Sequence, residues 1–594
     1  MWKLLCRMNK KDAAYGGVCI LFAALQVWLD LKIPDYMADI TRIIQSKGGA
    51  SGSIWGQGGM MLLCALGSLA FAILTGLMSA RLAAGFSRQL RGEIFDRVED
   101  FSMEEIDRFS TASLITRSTN DITQIQNLVA RGFNQFVRAP LAIAVAFVKI
   151  STRHWQWSAM TGAAVFLVVL ALIFVVKYAH PKFRAMQDLT DDLNMVVREN
   201  LTGIRVIRAY NAGPYEREKF EGANGRLTTN AIKARRGMQL MPVTNEFASN
   251  LLTVGIYCSG AFMIARTAPA LQLALFSEMV VFSTYAAKII QGFMRLNFIF
   301  MMLPRASVSA HRLNEVLDTP PTVKDGGHTE GAAGETGTVE FRHVGFHYPD
   351  SPADVLTDIT FSAKRGETVA LIGATGSGKT TVVNLLLRFF DPTGGQVLVD
   401  GRDAREYTQD ALRRKLGYAP QLAVLFTGTV RSNVTYGEER GEECADAAAV
   451  QNALEIAQGF DFVSKMPGGV DADIARGGTN VSGGQKQRIS VARAVYRKPE
   501  LYIFDDTFSA LDYKTDRALR AALKQRTAGV TTFIVAQRIG TIREADRILV
   551  LDDGRIVGSG THRELLENCD VYREIARTQL SEEELSQWQK TATR

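Results

Sequence analysis

Cysteine is scarce in this sequence, and the few that occur are far apart. The chain has 594 residues and six cysteines, namely Cys6, Cys19, Cys64, Cys258, Cys444 and Cys569, with no CxxC pair. A zinc site or a disulfide framework needs closely spaced ligands or pairs, so this spacing argues against both. We interpret these residues as isolated buried thiols.

The second half of the chain lacks the long apolar runs that fill the first half. A hydrocarbon core about 30 Å thick is crossed by a helix of roughly 20 apolar residues. Runs that approach or meet this length occupy residues 15–31, 60–78, 139–150, 157–176, 248–264 and 273–303. The sequence therefore predicts six membrane-spanning helices. The third run is the weakest, because Arg138 and Lys149 bracket its short apolar core.

The net charge of +7 could indicate nucleic-acid binding. Much of the excess, however, lies in the two long connections that follow the second and fourth runs, whereas connections 151–156 and 266–270 carry few charges. Since basic loops stay on the cytoplasmic side, we expect both long connections and both termini to be cytoplasmic, with no nucleic-acid partner. We interpret the first run as an anchor rather than a cleaved signal peptide, because further runs follow and no clear cleavage site ends it.

The long connections are rich in helix formers, so we expect the membrane helices to continue into the cytosol. Interruptions at 101–113 and 209–220 are each consistent with a short transverse helix or an ordinary turn. Proline and glycine accumulate after the last apolar run, which indicates a linker. We divide the chain into a transmembrane domain (1–303), a linker (304–336), a second domain (337–580) and a C-terminal tail (581–594).

Short apolar strands separated by helical segments are typical of the second domain. Strand-like runs occupy 369–373, 396–399, 501–505 and 532–536. This alternation predicts an α/β domain with a largely parallel sheet. The expected fold class is an all-α six-helix membrane domain followed by an α/β domain.

The most specific motif is GATGSGKTT at residues 373–381, between the strand-like ETVALI and the apolar VVNLLLRFF. Glycines in this context let backbone N–H groups wrap phosphates at a helix N-terminus. Lys379 would bind the phosphates, and the Thr380 hydroxyl would bind Mg²⁺. The predicted nucleotide contacts of the motif are Gly373, Thr375, Gly376, Ser377, Gly378, Lys379, Thr380 and Thr381. Asp505, at the end of LYIFD, is predicted to hold Mg²⁺ through water; a turn or cap aspartate is the alternative.

A second candidate anion-binding surface is VSGGQKQR at residues 481–488, whose first residues are Ser482, Gly483, Gly484 and Gln485. The phosphate-binding loop at 373–381, here called the P-loop, does not require this second surface. A second phosphate contact needs a second nucleotide. Here the sequence resembles the ATP-binding cassette (ABC) transporters, in which the signature of one cassette closes over ATP held by another. Six runs followed by one cassette are similar to an exporter-type half-transporter. The resemblance implies ATP and Mg²⁺ as cofactors, ATP hydrolysis coupled to transport, and a second half-transporter chain as partner.

The resemblance covers nearly the whole chain and implies further roles. Tyr348 resembles the aromatic that stacks on adenine, and Gln421 the glutamine that senses Mg²⁺ and the membrane domain. Ser509 and Asp512 resemble the loop that signals across the dimer. The two interruptions in the long connections correspond to the family's coupling helices.

Two positions at the nucleotide site depart from the family pattern. Asp506 stands where a glutamate is usual, and its carboxylate is one methylene shorter; a general base must reach its proton within roughly 2.6 to 3.2 Å. Gln537 replaces the usual histidine, and an amide cannot carry a positive charge. Ala475 also stands where exporters commonly carry a glutamate. We therefore expect ATP binding with slow hydrolysis at this site, and favour a heterodimer with an active partner site over a slow homodimer.

The sequence says less about cargo. Thr284, Lys288, Gln291 and Arg295 recur at helical spacing in the sixth run. Intramembrane charge usually faces a bundle interior or a cavity, so this stripe could line a pathway for anionic or amphipathic small molecules, lipids or peptides. Ion pairing in the bundle and snorkelling are the alternatives. An exporter-fold importer and an ATP-gated regulatory protein with little hydrolysis also remain open.

Overall fold

The computed structural model describes residues 1–45, 51–151, 154–349, 351, 353–437 and 446–580. They form two compact units, one of residues 1–99 and 111–319, the other of residues 100–110 and those from 320 onward. The tail 581–594 and Cys444 lie outside the described residues. The change of unit lies beyond residue 303, because the last helix of the first unit runs through Pro304 to Asp318.

The first half of the chain is built of long helices. These are α1 (Trp2–Leu5), α2 (Lys10–Gln45), α3 (Ser51–Glu99), α4 (Met103–Phe109), α5 (Thr111–Thr116), α6 (Ile122–Asn127), α7 (Phe133–Ser151), α8 (Trp155–Thr202), α9 (Ile204–Ala209), α10 (Gly213–Ala265) and α11 (Pro269–Asp318), with π-helical turns at Arg117–Asp121 and Leu128–Gly132. Segments long and apolar enough to cross a membrane are Lys10–Ile44, Gly52–Glu99, Thr111–Ser151, Trp155–Tyr178, Gly213–Arg266 and Leu271–Leu296. The prediction of six spanning helices is confirmed.

Two aspartates of α2 explain how the charged third run lies in the membrane. Asp30 Oδ2 accepts a hydrogen bond from Arg138 Nη2 at 2.8 Å, and Asp35 Oδ2 accepts one from Lys149 Nζ at 2.7 Å. A charge inside the bilayer is costly unless an opposite charge accompanies it. The two ion pairs therefore offset the cost of both cations and fasten α7 to α2.

The two interruptions of the long connections differ in the structure. In the first, α4 is a short helix between α3 and α5. In the second, the short helix α9 precedes the interval 209–220, and most of that interval is the start of α10. Pro214 accounts for the difference, because proline is favoured in the first turn of a helix, where its missing N–H costs nothing.

The second unit is an α/β domain. Its strands are β1 (Val339–Phe346), β2 (Leu356–Ala363), β3 (Thr368–Gly373), β4 (Gly394–Val399), β5 (Arg402–Asp403), β6 (Leu416–Ala419), β7 (Gly428–Thr429), β8 (Asp473–Ile474), β9 (Leu501–Asp505), β10 (Thr531–Val535), β11 (Arg547–Asp552) and β12 (Arg555–Gly560). Its helices, besides α4, are α12 (Lys379–Leu386), α13 (Gln409–Arg414), α14 (Val430–Val434), α15 (Ala447–Ile456), α16 (Phe460–Val463), α17 (Gly483–Tyr496), α18 (Tyr513–Arg526), α19 (Ile539–Ile542), α20 (His562–Asn568) and α21 (Asp570–Gln579).

The six-stranded sheet has the order β12-β11-β3-β10-β9-β6 and is parallel except for β12. A smaller antiparallel sheet has the order β2-β1-β4-β5. Along β3, Val369 and Leu371 join one buried cluster, whereas Ala370 and Ile372 join the other. Burial of both faces is what a parallel sheet requires, and the predicted α/β class is confirmed.

Parallel strands also fix where the loops meet. The carboxyl ends of β3, β10 and β9 lie side by side, since Val535 pairs with Leu371 on one side and with Asp505 on the other. Ligands of open α/β sheets bind at this edge. The P-loop, Asp505 and the segment after β10 are therefore neighbours.

A buried arginine fixes the segment that leads into this domain. Arg388 follows α12, and its side chain is only 2% exposed. Its Nη1 donates to Tyr407 O at 2.8 Å, its Nη2 to Lys324 O at 2.6 Å, and its Nε to Asp391 Oδ1 at 3.1 Å. One guanidinium thus satisfies three acceptors.

We expect Arg388→Ala to destabilise the second unit, because each buried carbonyl left without a donor costs roughly 1 to 3 kcal/mol. The purified protein in detergent should unfold at a clearly lower temperature. Arg342→Ala is the matched control, since Arg342 is exposed and pairs with Glu340 on its own strand. Equal unfolding temperatures for the two variants would contradict the assignment.

Candidate functional site

The P-loop forms the tight strand-to-helix turn that its glycines predict. β3 ends at Gly373 and α12 begins at Lys379. Between them Gly378 has φ of 96°, and a Cβ there would lie 2.5 Å from Leu356 Cδ2. Only glycine combines that conformation with so little space.

Lys379 lies inside the curve of this loop. Its Nζ donates to Gly373 O at 3.0 Å, to Ala374 O at 2.7 Å and to Ser377 Oγ at 3.2 Å. Burial lowers the pKa of the Lys379 ammonium, and the carboxylates at the end of β9 oppose that shift. The cation lies beside the N–H groups at the start of α12, an arrangement that suits polyphosphate. Thr375 and Gly376 are exposed on the loop and Thr380 is exposed in the first turn of α12, whereas Thr381 is buried.

Tyr348 is held beside the P-loop helix. Its hydroxyl lies 3.2 Å from Thr381 Oγ1. Its ring packs edge-on against Phe346 at 4.9 Å and Phe390 at 5.4 Å between centroids. The ring is half-buried and held in position, so a planar base could stack on its remaining surface.

Asp505 offers an unused acceptor at the carboxyl end of β9. It is 2% exposed, and among the described residues its Oδ1 has no hydrogen-bond partner. Burial, with a contribution from the Asp506 carboxylate, raises the pKa of Asp505 to about 6, and Lys379 opposes this. A free carboxylate oxygen with the exposed Thr380 hydroxyl fits the oxygen ligands that Mg²⁺ prefers. These residues could therefore hold the ion, with Gln421 a further candidate.

Two other predicted site residues meet at Asp506. Gln421 Nε2 donates to Asp506 Oδ2 at 3.2 Å, and Gln537 Nε2 donates to the same oxygen at 2.9 Å. Asp506 has φ of 43°, and its N–H donates to Val535 O, so the backbone directs the carboxylate between the two amides. Burial raises the pKa of Asp506, and the Gln421 hydrogen bond acts against that rise.

Two further glutamines hold this cluster, and the sequence reasoning missed both. Gln487 Nε2, on α17, donates to Gln421 O at 2.6 Å. Gln579, the last residue of α21, donates to Gln537 O at 2.8 Å and accepts from Ile539 N at 2.9 Å. Gln487 lies in the signature motif and could have been noticed there. Gln579 belongs to no motif and is distant in sequence.

The signature begins α17 through a capping box. Ser482 N donates to Gln485 Oε1 at 2.8 Å, and Gln485 N donates to Ser482 Oγ at 3.4 Å. Ser482 and Gly483 are exposed, so the start of the helix faces outward. In the described part of the chain no hydrogen bond joins the signature to the P-loop. Ala475, upstream, donates its N–H to Asn480 Oδ1.

The two residues assigned to dimer signalling have local partners. Ser509 Oγ donates to Asp506 O at 2.8 Å. Asp512 caps α18 by accepting from Thr515 N at 3.0 Å and from Thr515 Oγ1 at 2.7 Å. Ser509 thus contacts the backbone of Asp506, whereas the contacts of Asp512 are those of a helix cap.

The stripe of the sixth run divides into different environments. Thr284 Oγ1 donates to Val280 O in its own helix, and Lys288 Nζ donates to Asp30 O at 2.7 Å. Gln291 is exposed. Arg295 lines an open cleft of about 520 Å³ whose lining residues are Ala130, Arg131, Asn134, Gln135, Met294 and Arg295. Lys288 thus bonds a backbone carbonyl of α2, and Arg295 faces the cleft.

The comparisons with known proteins agree with this architecture. Residues 17–293 match the family described as ABC transporter transmembrane region, and residues 356–509 match the family described as ABC transporter. An uncharacterised ABC transporter ATP-binding protein of Mycobacterium tuberculosis is 37% identical over 586 residues, which cover 97% of this chain and 98% of that protein.

Two further likenesses concern a named transporter and a solved structure. The ATP-dependent lipid A-core flippase of Paraburkholderia xenovorans is 34% identical over 501 residues, which cover 83% of this chain and 81% of the flippase. The structure of a bacterial Atm1-family ABC exporter with ATP bound covers 96% of this chain and 100% of its own, at 24% identity and a TM-score of 0.81. At that identity the likeness establishes the fold.

The family matches cover both halves of the chain in the order that the two units show. The chain therefore belongs to the ABC transporters: it is a multi-pass membrane half-transporter of exporter fold, in which a six-helix transmembrane region is joined to one cytoplasmic ATPase domain coupled to transport.

Proposed function

We propose that this chain is one half of a heterodimeric exporter. Its own site holds ATP and Mg²⁺ with little hydrolysis, and its signature completes an active site on the partner chain. The observation that carries the proposal is the sharing of Asp506 Oδ2 by the Gln421 and Gln537 amides. Asp506, which stands at the position of the general base, thus accepts hydrogen bonds from two neutral amides.

The contacts of Asp506 oppose a role as general base. A base must accept a proton from the attacking water, and its efficiency depends on reach and basicity. Two N–H donors already engage the terminal oxygen Oδ2, so this oxygen is less available to accept a proton from the attacking water, although burial raises the pKa of the carboxyl group. The side chain is also one methylene shorter than glutamate. Gln537 cannot compensate, because an amide supplies no positive charge.

Nucleotide binding does not depend on these two residues. Lys379 and the P-loop N–H groups would hold the phosphates, and Tyr348 would stack on the base. Asp505, Thr380 and Gln421 would hold Mg²⁺, whose charge neutralises the phosphate oxygens when bound. Because binding and hydrolysis use different residues, this site would bind ATP tightly and hydrolyse it slowly.

For cargo we propose an anionic amphipath moved outward. Arg295 and Arg131 line the cleft, and neither forms an ion pair among the described residues. Asn134 Oδ1 and Gln135 Oε1, also in its lining, are buried there and have no hydrogen-bond partner within the part of the chain that the structure describes. Two cations and two free acceptors suit a headgroup that carries an anion beside hydroxyl or amine donors. The likeness to a lipid A-core flippase supports the same class of cargo.

We expect the double variant Asp506→Glu with Gln537→His to hydrolyse ATP at least about tenfold faster than the native chain, since a positioned general base contributes about 10² to 10⁴-fold. The measurement is ATP turnover by the chain purified alone in lipid nanodiscs. Asp410→Glu, an exposed change of the same kind on α13, should leave turnover as it was. Lys379→Ala should remove nucleotide binding. No acceleration in the double variant would refute the slow-site proposal.

Purification from the native membrane tests the pairing separately. We expect a second chain of similar size to accompany this one, with Glu and His at the positions that match Asp506 and Gln537. A dimer of this chain alone that hydrolyses ATP briskly would instead establish the homodimer.

We expect Arg295→Ala to reduce the apparent affinity for an anionic lipid by about tenfold or more, because a hydrogen bond to a charged group contributes about 1.5 to 3 kcal/mol. The measurement is ATPase stimulation by phosphatidylglycerol added to phosphatidylcholine nanodiscs. Arg226→Ala, an exposed charge loss on α10, should retain the stimulation. The cargo proposal fails if the two variants respond alike.

A further inference from the structure

The last described helix, α21, holds the backbone of the segment that carries Gln537. The Gln579 carboxamide donates from Nε2 to Gln537 O at 2.8 Å and accepts at Oε1 from Ile539 N at 2.9 Å. A carboxamide has both a donor and an acceptor, as a peptide group does. One side chain therefore engages both ends of residues 537–539.

This segment needs an acceptor that its own sequence does not supply. Ile539 begins α19, and the first N–H groups of a helix have no partner inside that helix. Serine, threonine, aspartate and asparagine usually cap such groups. The N-cap of α19 is Arg538 instead, whose side chain makes no cap hydrogen bond to any described residue. The acceptor comes from Gln579, on another helix.

The helix α21 is fixed independently of Gln579. Tyr572 and Ala576, one turn apart, are fully buried. The Tyr572 hydroxyl also lies 2.6 Å from Nδ1 of His562, on α20. Gln579 comes nearly one turn after Ala576 and is exposed. Loss of its side chain should therefore leave the helix in place, because the apolar face that anchors the helix does not include it.

Gln537 is placed where ATP and ADP would differ. The N–H of Ala536 donates to Leu371 O at 3.1 Å, so this segment runs beside the strand that leads into the P-loop. The Gln537 side chain donates to Asp506, which stands at the position of the general base. A general base for ATP hydrolysis lies beside the terminal phosphate, where water attacks. The Gln537 amide is thus next to the place of the γ-phosphate, which ADP lacks.

We propose that Gln579 is a positioning residue that sets the selectivity of this site for ATP over ADP, by holding the backbone of Gln537 so that its amide meets the γ-phosphate. Gln579 contacts main-chain atoms, so it would act on any side chain at position 537. The inference rests on the proposed nucleotide site. It depends neither on slow hydrolysis nor on a heterodimer, so a fast native site would contradict those proposals alone.

The test measures the dissociation constants of Mg²⁺ with AMP-PNP, a non-hydrolysable ATP analogue, and of Mg²⁺ with ADP, for the full-length chain in nanodiscs. We expect Gln579→Ala to weaken AMP-PNP binding by about fivefold, the size of one lost hydrogen bond, and to leave ADP binding unchanged. Gln537→Ala should show the same loss. Adding Gln579→Ala to Gln537→Ala should cost nothing further, because a positioning residue acts only through the side chain that it positions.

The matched control is Thr578→Ala. Thr578 is the exposed neighbour of Gln579, and its hydroxyl donates to Ile575 O within α21, so this variant should bind both nucleotides as the native chain does. Gln579→Glu has the native length and adds a pH signature. A neutral carboxyl group donates and accepts, whereas a carboxylate only accepts and would lie against Gln537 O. Selectivity of Gln579→Glu, relative to the native chain at each pH, should therefore recover as the pH falls and the carboxyl group is protonated.

Three results would overturn the proposal. Equal weakening of AMP-PNP and ADP binding by Gln579→Ala would show that the residue serves the folding of the domain. Unchanged selectivity in Gln579→Ala or in Gln537→Ala would remove the assigned contact with the γ-phosphate. A full further loss when Gln579→Ala is added to Gln537→Ala would show that Gln579 does not act through Gln537.

Discussion

The hydrogen bonds to the Asp506 carboxylate organise the catalytic edge of the sheet. Gln421 and Gln537 donate to one oxygen of Asp506. Their backbone carbonyls accept hydrogen bonds from two further glutamines, Gln487 on α17 and Gln579 on α21. A chain of amide contacts thus runs from the signature helix through the nucleotide site to the last described helix. Because a buried carboxylate needs its donors, displacement of any member leaves a polar group unsatisfied and is resisted by the others.

The membrane half follows the same rule with full charges. Asp30 and Asp35 each meet a cation of α7, and the carbonyl of Asp30 also receives Lys288 from α11. Close packing reinforces this, since a Cβ at Gly292 would lie 2.5 Å from Ile143 Cγ1. Arg295, two turns beyond Lys288 on the same stripe and half-buried, has no such partner among the described residues. In the proposed function, this difference separates the structural charge of Lys288 from the Arg295 charge that would bind cargo.

Sequence alone predicts the features that are local. The P-loop, the signature and the six apolar runs each lie in one continuous stretch, so spacing suffices for them. The contact of Gln421 and Gln537 with Asp506 needs three strand ends to be adjacent, which only the sheet order of β6, β9 and β10 provides. The extension of α11 to Asp318 was obscured by Pro304, which lies inside the helix. Thr322 N donates to Glu105 Oε1 at 3.1 Å across 217 positions, and the Ser-x-x-Glu pattern of Ser102 and Glu105 predicts only the local contact of this carboxylate.

In the function proposed above, a weakened site and an intact signature can occur in one chain because their geometries are independent. Ser482 and Gln485 satisfy each other within four residues, so the exposed start of α17 keeps its shape whatever stands at positions 506 and 537. Asp506, by contrast, depends on long-range contacts. Substitutions there would alter the chemistry at this chain's own nucleotide and would leave unchanged the surface offered to a partner's nucleotide. In a transporter with two composite sites, this independence allows one chain to lose hydrolysis while the dimer retains it.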